Sequence, residues 1–101
     1  MPTVVIIRQT HPPSSEEIVR HRPSDEFLEI RARWKESGKI AAQDYVMNTE
    51  TRTEIKTTVF PDKDTYLEWI NDPIVQAYFE DRNQFLKNNG IWKEIEVDHT
   101  I

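Results

Sequence analysis

Residues 60–90 read FPDKDTYLEWINDPIVQAYFEDRNQFLKNNG, and the architecture can be worked out from there in both directions. Asp62 or Asp64 can cap a helix whose apolar set is Tyr66, Leu67, Trp69 and Ile70. Asn71-Asp72-Pro73 interrupts it. Asp72 is a good N-cap, and proline suits the first position of a new helix, where an N–H would have no partner anyway. Val75, Tyr78, Phe79, Arg82, Phe85 and Leu86 then recur at helical spacing, and Asn88-Asn89-Gly90 stops the run. A strand follows at once: Ile91, Lys93, Ile95 and Val97 alternate with Trp92, Glu94 and Glu96. Asp98 to Ile101 reads as a tail.

Upstream, residues 3–9 (TVVIIRQ) are β-branched and short, a strong strand signal. Val4 and Ile6 lie on one side of that strand, Val5 and Ile7 on the other, so it wants apolar cover on both faces. Residues 10–23 are broken by Pro12, Pro13 and Pro23. Within them Ser14 and Glu17 have capping-box spacing, which predicts one short helical turn through Ile18. The connection is long for a strand-to-helix link. Ser24 to Ser37 is a helix: Ser24 or Asp25 caps it, Asp25 and Glu26 suit its positive end, and Gly38 ends it. Phe27, Ile30 and Trp34 form its apolar stripe, with Glu29, Arg33 and Glu36 away from it. Residues 39–47 and 52–60 pair as two strands across a turn at Asn48-Thr49-Glu50. In the second, Thr53, Ile55, Thr57 and Val59 alternate with Glu54, Lys56 and Thr58, which gives that strand a polar face.

Read in order, the elements give one α+β domain over residues 1–101, a ferredoxin-like β-α-β-β-α-β chain with a four-stranded antiparallel sheet and its helices on one face. A chain of 101 residues fits a single domain. It buries only roughly 60–65% of its unfolded surface, so a lone monomer would be modestly stable.

Composition excludes several classes. Cysteine is absent, which removes disulfides, thiolate catalysis and Cys-based metal sites. The net charge is −5, with +1 in residues 1–40 and −6 in residues 41–101, a balance that argues against general nucleic-acid binding. The cluster Arg20, His21, Arg22, Arg31, Arg33 and Lys35 reads as a solvated face and loop. No signal peptide is visible, and no run nears the ~18 apolar residues of a membrane helix, so the expectation is a soluble, cytoplasmic protein with no membrane partner. Gly38 and Gly90 are the only glycines, so no Gly-rich phosphate loop exists. His11, His21 and His99 lack metal-site spacing and read as loop histidines in solvent. A base or ligand role for His11, near the end of the first strand, is the alternative. No metal is called for.

The strand Val4–Ile7, the phrase Gly38-Lys39-Ile40, and above all Phe60-Pro61-Asp62 through Tyr66-x-x-Trp69-Ile70-Asn71-Asp72-Pro73 resemble the dimeric α+β barrel group, in particular its antibiotic-biosynthesis-monooxygenase-like branch. The likeness covers most of the chain. It implies a homodimer in which two sheets meet face to face, which would explain the doubly apolar first strand. Such burial is worth roughly 25 cal/mol per Å² of apolar area before association costs. It further implies a pocket between sheet and helices for a small aromatic ligand. The activity it implies is a cofactor-free monooxygenase acting on an aromatic or quinol substrate, with no cofactor held. The alternative is a non-catalytic dimeric binding or interaction module. Trp69 matches the helix tryptophan of the haem-degrading members. Their iron-ligating His is replaced by Phe79 and their strand Asn by Arg8-Gln9, which counts against haem chemistry.

The expected pocket lining is Arg8, Tyr45, Trp69 and Phe79. Arg8 could neutralise an anionic oxygen or pair with an acid across the sheet. Tyr45 could place a phenol in the pocket or simply pack. The aromatic set Trp34, Trp69, Tyr78, Phe79, Phe85 and Trp92 could line a flat site or fill the core.

Overall fold

A computed structural model describes residues 1–14 and 16–99. In it the chain forms β1 (Thr3–Thr10), α1 (Asp25–Glu36), β2 (Ala42–Asn48), β3 (Thr53–Phe60), α2 (Lys63–Ile70), α3 (Pro73–Asn88) and β4 (Trp92–Asp98). The four strands make one antiparallel sheet in the order β2-β3-β1-β4. The arrangement is compatible with a ferredoxin-like fold, with three helices because the Asn71–Pro73 break divides the second helical region in two.

The helices start where capping chemistry places them. Ser24 accepts the Phe27 N–H, Asp62 accepts the Thr65 N–H at 2.7 Å, and Asp72 accepts those of Ile74 and Val75 with Pro73 just inside α3. Gly38 and Gly90 adopt φ of +80° and +65° after α1 and α3, the left-handed turn that frees a helix to stop. Beyond Gly90, the Ile91 N–H closes back on the Leu86 carbonyl.

Strand register fixes which side chains meet. Val5 lies between Thr58 and Val97, Ile7 between Lys56 and Ile95, and Gln9 between Glu54 and Lys93. This is the face the helices cover. Its core joins Val5 and Phe60 to Phe27, Ile30, Trp34, Trp69 and Val75. Trp34 and Trp69 meet edge to face at 4.9 Å, and Phe27 stacks on Tyr78 at 3.8 Å. The polar side of β3 therefore turns inward: Glu54, Lys56 and Thr58 face the helices. Ile55 and Val59 turn outward, beside Val4, Ile6 and Val46.

Among the described residues no helix lies over that outer face. The molecule is a slab 41 × 29 × 19 Å with a radius of gyration of 14.2 Å, against about 13 Å for a typical domain of this length. No described helix is long and apolar enough to cross a membrane.

Two local expectations change. The connection from His11 to Ser24 holds no helical turn among its described residues; Ser15, inside the expected turn, lies outside them. Arg52 explains why. Its guanidinium takes the carbonyls of Pro12, Ser14 and Glu16 at 2.9–3.1 Å, so those acceptors point at the β2–β3 hairpin and not along a helix axis. A single turn has too little stability of its own to compete. The expected tail is also anchored at its start. Asp98 ends β4, and His99 Nδ1 shares a 2.9 Å hydrogen bond with the Thr3 hydroxyl. Thr100 and Ile101 lie outside the described residues.

Candidate functional site

Because β3 turns a polar face inward, the space between the sheet and helices α1 and α3 is not filled by apolar side chains. It holds an open hollow of about 560 Å³, within the usual range for small-molecule sites. Its ring walls come from Phe27 on α1, Trp69 on α2, Tyr78 and Phe79 on α3, and Phe60 at the end of β3. Arg31 and Lys35, both on α1, also line it.

A smaller hollow of about 110 Å³ lies beside it, bounded by Gln9, His11, Glu54 and Ile91. His21, Tyr45, Lys56 and Arg82 line both spaces, so they form a polar partition between them. Behind that partition Glu54, only 4% exposed, accepts two hydrogen bonds. His11 Nε2 donates at 2.6 Å and the Tyr45 hydroxyl at 2.7 Å. The donor on His11 follows from its partner, since an ionised carboxylate can only accept. Arg20 approaches the same carboxylate at 3.8 Å and lies over the Tyr45 ring.

The charges shift one another in consistent directions. Burial alone would raise the Glu54 carboxyl, but the hydrogen bonds from His11 and Tyr45 and the charge on Lys56 outweigh it and hold it below its ordinary value. Burial raises the Tyr45 phenol, and its bond to Glu54 raises it further, so Tyr45 stays a donor. Burial lowers the Lys56 ammonium; Glu54 opposes this, while Arg82, Arg31 and Arg20 push it down further. His21 is lowered by burial too, with Asp81 opposing and Lys56 and Arg82 reinforcing. An acidic protein thus carries a cationic interior.

Three of the four residues expected from sequence line the larger hollow: Tyr45, Trp69 and Phe79. Arg8 does not. The alternation of β1 puts it on the outer face, where it reaches Glu96 at 3.7 Å with the two side chains 41% and 62% exposed. Such a pair contributes little. The expectation of solvent-exposed loop histidines fails for His11, which is 4% exposed and bonded to Glu54. It also fails for His21, half-buried against Tyr78 and Phe85 with its Nδ1 unpartnered. Of the aromatic set, Trp92 lies on the outer face, 66% exposed.

Sequence reasoning did not find Lys56, Glu54 or Arg82 as site residues. A signal existed for Arg82, a cation at a stripe position of an apolar helix face. For Glu54 and Lys56 the alternation separates two faces of β3 but cannot say which one the helices cover. Among the described residues no group of three or more acidic or histidine side chains could hold a metal ion. No protein-family model matches the chain and no curated protein matches it by sequence, so the geometry of this hollow is what bears on its function.

Proposed function

We propose that this protein binds a flat aromatic small molecule between its sheet and helices, as a homodimer of the α+β barrel type, and oxygenates a quinol or similar substrate without a cofactor. The observation that carries the reading is the ring-walled hollow of about 560 Å³ with Tyr45, Lys56 and Arg82 among the polar groups lining it. A purely structural interaction module would have the space between its sheet and helices filled, without that opening.

The dimer draws its support from the outer sheet face. Val4, Ile6, Val46, Ile55 and Val59 form an apolar surface that no helix among the described residues covers. A second copy laid on it would bury the side of β1 that faces away from the helices.

The chemistry needs no bound redox group, because a reduced aromatic substrate AH2 itself supplies all four electrons that O2 takes up. AH2 and O2 give AO and water. The residues here would hold the ring among Phe27, Tyr78 and Phe79 and keep the reacting edge against the Tyr45–Lys56–Arg82 side. Oxygen uptake with a panel of dihydroxynaphthalenes and anthrone-type substrates tests the activity, and uptake above the protein-free rate is expected for at least one. Uptake no faster than that rate across the panel removes the oxygenase reading and leaves binding to be tested on its own.

A further inference from the structure

Arg82 projects from α3 into the partition between the two hollows and is only 5% exposed. Its Nε finds no hydrogen-bond partner. The ion pairs of the described residues are Arg8–Glu96, His11–Glu54, Arg20–Glu54 and Lys39–Glu68, and Arg82 belongs to none of them. Its guanidinium carbon sits 5.5 Å from the Tyr78 ring centre and 5.1 Å from that of Phe79. Ring faces offset only part of the loss of hydration. A guanidinium cannot shed its proton to escape, unlike a buried lysine.

The surroundings make the charge more exceptional. Lys56, Lys93 and His21 all feel Arg82 as a repulsive neighbour. Glu54 is close to Lys56, but its partners are His11, Tyr45 and Arg20, and no ion pair joins it to Arg82. Asp81 acts on His21 and is itself exposed. Arg20 also shares the Glu54 carboxylate, and Arg31 and Lys35 line the larger hollow as well, so the guanidinium of Arg82 has no carboxylate of its own among the described residues. Its complement is a monoanion, and the planar guanidinium fork fits a carboxylate.

We propose that the ligand of the larger hollow is an aromatic carboxylate, its rings held among Phe27, Tyr78 and Phe79 and its carboxylate seated on Arg82 with Lys56 beside it. The proposal rests on the small-molecule reading above and adds the charge and the anchoring residue. It also explains why a destabilising arginine occupies an apolar helix position: its counter-ion arrives with the ligand.

Calorimetric titration with 2-naphthoate and with its neutral isostere 2-naphthamide tests this on the intact protein. The acid is expected to bind at least about tenfold more tightly than the amide. Arg82→Met should abolish that preference while raising the thermal midpoint of the free protein, a pairing that a merely structural arginine would not give. Lys56→Gln should weaken the acid several-fold and leave the amide unchanged. Equal affinity for acid and amide in the wild-type protein, a comparison that needs no variant, overturns the anionic ligand while sparing the pocket. So does an undiminished preference in Arg82→Met. Binding of neither compound overturns both readings.

Discussion

Glu54 is where a single side chain carries most consequence for stability. Replacing it with Ala would leave the buried His11 and the more exposed Tyr45 without their shared acceptor, and the expected loss is about 3 kcal/mol, read from chemical denaturation. The pH dependence has a definite sign. The folded-state carboxyl titrates below its ordinary value of 4.5, so its stabilising effect is complete above that value and disappears as the pH falls through the folded-state value. Denaturation midpoints measured from about pH 6 to about pH 3 should fall more steeply in the wild-type protein than in Glu54→Gln. Little of this could be read from the chain. His11 beside Pro12-Pro13 looks like an exposed loop residue, and only the pairing of β1 with β3 brings Glu54 to it. Trp69, Phe79 and Tyr45 were legible because large rings at stripe or small-neighbour positions must lie against something. Arg8 failed because one position along a strand reverses the side chain's face.

Element boundaries were far more legible, since caps are local chemistry. Asp72-Pro73 announces the start of α3 in two residues, and Asp72→Ala should lower stability by about 1 kcal/mol. The connection between β1 and α1 was not legible, because its conformation is imposed from a distance by Arg52, on the far side of the hairpin turn. That residue itself sits at φ +54°, an uncomfortable backbone for anything but glycine. Two effects can therefore be separated. Arg52→Ala loses the three carbonyl contacts and keeps the backbone strain, whereas Arg52→Gly loses the contacts and relieves it. Gly should be the more stable of the two by about 1 kcal/mol. Both should be cut faster than wild type by a protease acting in the connection.

At the scale of the whole molecule, a four-stranded antiparallel sheet was legible in the sequence of elements, while the outer face posed the question of what covers it. If a second copy does, charges placed in its middle should separate the copies. Ile6→Lys combined with Val59→Lys is expected to shift the light-scattering mass from dimer to monomer at micromolar concentration, with the far-ultraviolet circular dichroism of the fold retained. A wild-type protein that already scatters as a monomer would remove the barrel assembly from the proposal and leave the hollow, which lies wholly within one chain, untouched.

The inward turn of Glu54, Lys56 and Thr58 has an evolutionary corollary of parity. Inserting or deleting one residue at the β2–β3 hairpin, with the rest of the pairing kept, would swap the two sets of β3 side chains. Ile55 and Val59 would then plug the interior, and Glu54 and Lys56 would move into water. The outcome would be a sturdier, solitary and chemically silent domain. Natural selection has that simpler alternative one codon away, so persistence of the present phase among descendants of this gene would measure how much the organism needs the charged interior.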